Sequence, residues 1–291
     1  MGRTVVITGG NRGIGRATVR AVLYGAEDTR VLLGSRSRER GEGARSELLA
    51  EHPALEGRLE ALEIDVSSDD SVAAAAATVS ERLGEGSLYG LINNAGIGEG
   101  PMRRVLDVNT LGPRRVCEAF LPLLQERGRI VNVSSAAGPN FVASCGPEVQ
   151  QTLTSPQVTW EDIEEVMEAC LAIDERGGDF KAAGFGTGSA YGLSKACLNA
   201  YTIALARSHP EQTINACTPG FIETDLTRRY ATSQGVAPAE LGMKPPEHGA
   251  KTSTFLLLGD PGGSGWYFGS DQQRSPLDRY RSPGDPPYRG D

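Results

Sequence analysis

No stretch of the 291 residues approaches the roughly 18 consecutive apolar positions that a bilayer-crossing helix requires, so a membrane span is excluded. Histidine is nearly missing: three residues, at 52, 209 and 248, none paired at ligand spacing. The five cysteines (117, 145, 170, 197 and 217) are odd in number and scattered, with no Cys-x-x-Cys spacing, which speaks against a disulfide scaffold or structural zinc. No metal site is expected. Positive charge is also in short supply. Lys and Arg total 29 against 37 Asp and Glu, and a net charge of −8 makes nucleic acid or an acidic membrane surface a poor main partner. A local basic pocket stays open. A β-like run starts at Arg3 and leaves no room before it for a signal or transit peptide. A reduced, cytoplasmic protein is therefore expected.

What is present is a repeating alternation. Val5, Val6 and Ile7 form a continuous apolar run, as a parallel strand buried on both faces requires. A glycine-rich loop, a helix and a second run (Val31, Leu32, Leu33) follow within about 30 residues, the opening of a dinucleotide-binding unit. Further strands are predicted over 59–64, 88–92, 129–133, 213–217 and 266–268. Helices are predicted over 37–51, 72–83, 102–125, 190–208 and 246–258, with Ser67 as a cap and Pro113 as a bend. The pattern breaks over 136–190. That insertion has one strong helix at its centre, announced by Thr159 and Asp162 as a capping box and by an apolar stripe of Ile163, Val166, Met167, Cys170 and Leu171. The stripe reads as packing against the parent domain. The expected fold is α/β: a three-layer, Rossmann-type, doubly wound parallel sheet, forming one domain over 1–273 with a helical insertion. Residues 221–245 are polar and punctuated by Pro and Gly, as a lid would be, and the tail over 274–291 is expected to be disordered.

One more absence concerns the cofactor. Gly9, Gly13 and Gly15, with Asn11, Arg12 and Ile14 between them, form a loop that lets backbone approach a pyrophosphate over a helix N-terminus. About 20 residues on, where an acid would bind the ribose hydroxyls of NAD, the strand ends in Gly34, Ser35 and Arg36. Arg36, with Arg12 as a second cation, suits a 2′-phosphate, so NADP(H) is expected. The plainer alternative is that both arginines are solvated surface residues.

In Ser189 to Lys195, SAYGLSK, a phenol and an ammonium lie four residues apart, on one face of a helix. The ammonium is expected to favour the phenolate and lower the pKa of Tyr191 toward working pH. Such a pair also arises by chance. Ser135, at the end of a predicted strand, supplies a second donor that can meet negative charge developing on a carbonyl oxygen. Cys217 reads either as a modifiable thiol near a pocket or as a small buried strand residue.

Taken together, TGGNRGIG (8–15), Asp65, NNAG (93–96), Asn109, VNVSS (131–135), YGLSK (191–195) and TPGFIETD (218–225) resemble the short-chain dehydrogenase/reductase family over roughly residues 3 to 270. In outline the chain is similar to the monomeric carbonyl reductases, which also carry a long insertion between the catalytic Ser and Tyr. The resemblance implies that Ser135 is the catalytic serine, Tyr191 the proton donor, Lys195 its partner and Asn109 the fourth member. Ser135 is preferred to Ser134 because glycine follows it at Gly138. Asp65 and Val66 would flank the adenine, and Asn93, Ala95 and Gly96 would line the cofactor. Pro219, Gly220, Ile222 and Thr224 would contact the nicotinamide end. Only 12 residues separate Gly96 from Asn109, fewer than the family has, so either the pocket is more open or the helix carrying Asn109 is displaced. The implied activity is NADPH-dependent reduction of an aldehyde or ketone on a small or medium organic molecule. The alternatives are oxidation of a secondary alcohol in reverse, or a catalytically silent NADP-binding redox sensor. The insertion would cover the helix face through which many members associate, so a monomer is expected.

Overall fold

Apolar runs without polar alternation become the strands of a single sheet. In the computed structural model, which describes residues 2–290, these are β1 (Arg3–Ile7), β2 (Thr29–Ser35), β3 (Leu59–Glu63), β4 (Leu88–Asn93), β5 (Leu124–Val133), β6 (Thr213–Cys217), β7 (Tyr267–Phe268) and β8 (Arg274–Ser275). Their order is β3-β2-β1-β4-β5-β6-β7-β8, parallel except for β8. The order reverses between β1 and β4, where Val5 pairs with Gly90 and Ile7 with Ile92. A crevice outside the carboxyl ends of the strands at such a switch is where ligands bind in open α/β sheets.

The helices are α1 (Gly13–Gly25), α2 (Arg38–Glu51), α3 (Asp69–Leu83), α4 (Met102–Leu106), α5 (Gly112–Phe120), α6 (Ala137–Ser144), α7 (Pro147–Thr154), α8 (Trp160–Glu175), α9 (Ala190–Ser208), α10 (Asp225–Gln234) and α11 (Pro246–Leu258). Val5 and Ile7 belong to one core with Val19, Val22, Leu48 and Leu257, under α1, α2 and α11. Val6 faces the other core, with Val72, Val79, Val116, Leu193 and Leu198 under α3, α5 and α9. Strand pleating sends successive side chains to opposite faces, so a strand with a core on each side has no polar position to offer. This is the expected three-layer, doubly wound architecture.

Three local expectations are corrected. Ser68, not Ser67, caps α3, accepting from the Ser71 N–H, while Ser67 turns back to Asp65. The helix expected over 102–125 is broken into α4, a π-turn (Asp107–Leu111), α5 and a 3-10 turn (Leu121–Leu123). Pro113 falls in the first turn of α5, where its missing N–H costs little. The tail is not without structure either. Ser275 and Arg274 pair with Tyr267 and Phe268. Buried Arg281 donates to both carboxylate oxygens of Asp271, at 3.1 and 2.6 Å. The composition of the tail offers little apolar surface, and an ion pair fastens it instead.

In the insertion, α8 starts with the expected capping box: Thr159 accepts from the Asp162 N–H, and Asp162 accepts from the Thr159 N–H. Ile163, Val166, Met167 and Cys170 are buried in the core that contains α9. The stripe packs on the parent domain, as read. Helices α6 and α7 were not foreseen.

Candidate active site

The loop after β1 is built by close backbone approach. Gly9 (φ +64°) and Gly13 (φ +52°) take left-handed conformations that favour glycine. A side chain at Gly15 would collide with the Gly9 carbonyl oxygen, and one at Gly9 would stand 3.0 Å from the Cα of Ala95. The Thr8 hydroxyl accepts from the N–H groups of Asn94 and Ala95, at 3.0 and 3.1 Å, locking the loop to the end of β4. The Asn94 side chain closes the same junction by donating to the carbonyls of Thr8 (2.9 Å) and Gly9 (3.2 Å). No side chain caps the N-terminus of α1. Its first N–H groups are left without a side-chain partner, an arrangement suited to a phosphate. Strand β2 ends at buried Ser35 and exposed Arg36, with no acid in place. Burial raises the pKa of Asp65, but two hydrogen bonds from Ser67 and the charges of Arg36 and Arg104 outweigh it, so the carboxyl stays below its ordinary value.

At the end of β5 the two serines separate. Ser134 is buried and its hydroxyl donates to the Lys195 carbonyl at 3.2 Å. Ser135 is half-buried; its hydroxyl accepts from the Ala137 N–H at 3.2 Å and lies close enough to the Tyr191 phenol to pull its pKa down. Gly138 lets α6 lie against α9, because a Cβ there would stand 3.0 Å from the Lys195 backbone carbon. Ser189 caps α9, accepting from the Gly192 N–H at 3.1 Å, and so fixes the first turn that carries Tyr191. One turn on, the Lys195 ammonium lies 5.8 Å from the centre of the Tyr191 ring and donates to the Val133 carbonyl at 2.9 Å.

The expected lowering of the Tyr191 pKa by Lys195 is not observed. Burial raises the phenol above its ordinary value, and the Ser135 hydroxyl draws it partly back. The ammonium is itself buried, which pushes Lys195 down to about 8, with a small opposing pull from Cys217. Spacing along the helix brought the groups together but carried no information about their desolvation. Cys217 is buried and its thiol is pushed up to about 12 by desolvation, as a strand residue of the core.

Asn109 sits in the π-turn, fully buried. Its amide oxygen accepts from the Ile97 N–H at 2.9 Å, and its nitrogen donates to the Ile97 carbonyl (2.8 Å) and the Ser194 hydroxyl (3.1 Å). A Cβ on Gly96 would stand 3.2 Å from that amide oxygen and 3.7 Å from the Lys195 nitrogen. Asn109 thus sits in a π-turn, a device common at functional sites, and docks against α9 through Ser194.

A family model described as short chain dehydrogenase matches residues 3–146. Human carbonyl reductase (NADPH) 1 is 34% identical over 277 residues, covering 89% of this chain and 92% of that protein. The (+)-neomenthol dehydrogenase of Arabidopsis thaliana is 33% identical over 276 residues, covering 84% and 90%. The chain belongs to the short-chain dehydrogenase/reductase family. Among solved structures of this family's fold, menthone neomenthol reductase from Mentha piperita superposes with a TM-score of 0.76 at 26% identity, over 93% of this chain and 99% of that one.

Within this short-chain reductase scaffold the predicted residues do not all meet. Asn109 and Lys195 meet at Gly96, and Tyr191 lies beside Lys195 and within reach of Ser135. The loop residues, Ser35, Arg36, Asp65 and Ala95 all lie at or just after the ends of β1 to β4, while Val66 is buried in the core under α3 and α5. Gly220 (φ +88°) makes the sharp turn after Pro219. Three side chains depart from their expected places. Asn93 is buried and donates to Asn132 and Cys117, so its neighbour Asn94, overlooked in the sequence, is the one that reaches the loop. Ile222 is buried, packed near Gly249 of α11. Arg12 is not a free cation; it pairs with Asp225 at the start of α10, 2.9 Å away.

Proposed function

We propose that this protein reduces a ketone or aldehyde on a small or medium organic molecule, using NADPH, with Tyr191 as proton donor. The observation that carries the reading is the convergence of the Ser135 and Tyr191 hydroxyls beside the buried Lys195 ammonium, at the strand ends next to a glycine cradle. The relatives named for NADPH carbonyl reduction support the cofactor and the direction. The loop from Gly9 to Gly15 and the bare N-terminus of α1 would hold the pyrophosphate, Arg36 the 2′-phosphate, and Asp65 and Val66 the adenine. Ala95, Gly96, Pro219, Gly220 and Thr224 would line the remaining length. When bound, NADPH supplies the hydride.

The chain's own groups do the rest. Ser135 and Tyr191 donate hydrogen bonds to the carbonyl oxygen, whose charge grows in the transition state. Tyr191 then delivers its proton, completing the alcohol, and Lys195 holds positive charge beside the phenolate that is left. Asn109 keeps the 96–97 backbone and α9 in register around these groups. The Arabidopsis relative, named a dehydrogenase, supports the same site run in reverse on a secondary alcohol. Burial of α9 along nearly its whole length beneath the insertion supports a monomer, and five free thiols suit a cytoplasmic location. Loss of NADPH absorbance with a panel of quinones, aldehydes and ketones tests the activity. Tight NADPH binding without turnover on any of them would favour a sensor.

A further inference from the structure

We propose that Asp225 is a cofactor-specificity residue: its carboxylate occupies the Arg12 guanidinium and must be exchanged for the 2′-phosphate of the incoming cofactor. The inference rests on reading the crevice as an NADP(H) site. Arg12 belongs to the glycine loop and Asp225 to the first turn of the lid helix α10, 213 positions apart, and their side chains meet at 2.9 Å. The two elements run close together there: a Cβ on Gly13 would lie 3.7 Å from the Thr224 methyl. The pair thus ties the phosphate loop to the lid.

Two features make the exchange easy. Both side chains are well exposed, at 69% and 62%, so water screens the pair and little is lost on parting. Asp225 is also not stranded when Arg12 leaves, because Arg228 donates to its other oxygen at 3.3 Å and is itself held by Glu223 at 3.0 Å. An acid in the first turn of a helix is favoured by the helix dipole in any case. Here it additionally competes with a phosphate for one guanidinium. A dianionic phosphate offers that guanidinium a stronger, bidentate partner than a screened carboxylate does. A ligand lacking the 2′-phosphate has nothing to offer in exchange, and leaves the pair closed.

The test is calorimetric titration of the full chain with adenosine 2′,5′-bisphosphate and with 5′-AMP, for wild type, Asp225→Asn, Arg12→Gln and the double variant. The exposed positions leave the fold unthreatened. Wild type is expected to prefer the bisphosphate. Releasing the competing carboxylate in Asp225→Asn should tighten bisphosphate binding about two- to five-fold, the range of an exposed ion pair, and leave 5′-AMP unchanged. In the Arg12→Gln background the same change should do nothing. Hydrogen exchange should rise in the first turn of α10 when the bisphosphate binds to wild type, and not in Arg12→Gln. Equal tightening in both backgrounds, or none in either, overturns the exchange while leaving the NADP(H) reading intact. If wild type shows no preference for the bisphosphate, the cofactor reading falls and the exchange with it.

Discussion

Replacing Lys195 by Met should destroy activity and yet stabilise the fold at neutral pH. Lys195 is 5% exposed, and burial lowers its pKa from the ordinary 10.5 to about 8. At about 1.4 kcal/mol per pH unit, keeping the ammonium charged inside the fold costs about 3–4 kcal/mol. Methionine has similar length and no charge, but it abandons the Val133 carbonyl, for which about 1–2 kcal/mol is a fair loss. The net expectation is a variant more stable by about 1–3 kcal/mol at pH 7. The sign of the pH dependence follows from the same numbers. Between pH 8 and 10.5 the unfolded chain holds a proton on Lys195 that the folded chain has released, so wild-type stability rises with pH across that window. The variant lacks this rise, and its advantage should shrink and then reverse. Urea unfolding of both proteins, without cofactor, from pH 7 to pH 10 measures it. Parallel pH profiles, or a variant less stable at pH 7, would refute the reasoning.

Two other perturbations address the frame around the site. Asn109→Ala leaves the half-buried Ile97 N–H and carbonyl unpartnered and should cost about 1–3 kcal/mol in urea unfolding, together with a large drop in kcat. Unchanged stability would mean that the π-turn is held by other contacts. Arg281→Met should release the tail by breaking the fork with Asp271; limited proteolysis should then cut after residue 275 well before the domain is degraded, whereas cleavage no faster than in wild type would show that the ion pair does not fasten it.

Much of this architecture was readable in the sequence because it rests on local patterns. Val5 to Ile7 and Val31 to Leu33 have no polar alternation, and burial on both faces leaves them none. Thr159 and Asp162 announce α8 by a contact three residues long. The glycine loop, Arg36, Asp65, the 93–96 run, Ser135 and the turn at Pro219 and Gly220 were each visible as an unusual group after a predicted strand. What escaped depends on distant partners. Nothing within residues 102–120 reveals that Asn109 will bond to Ile97 and Ser194, and so nothing reveals the π-turn. The choice between Asn93 and Asn94 turns on which side of the β4 end faces the loop. Arg12 reads as a free cation until Asp225 is seen beside it, and Arg281 reads as tail until it meets Asp271. The Tyr191/Lys195 pair was legible as geometry, but its electrostatics came from burial, which reverses the expected direction for the phenol.

The central claim is that Tyr191 delivers the proton in a reaction driven by a bound nicotinamide. Its most direct test is NADPH-dependent carbonyl reduction by Tyr191→Phe, measured beside NADPH binding by the same variant. The expected result is turnover reduced by at least about a hundredfold, the usual contribution of a general acid, with NADPH affinity close to wild type. Turnover comparable to wild type would contradict the account.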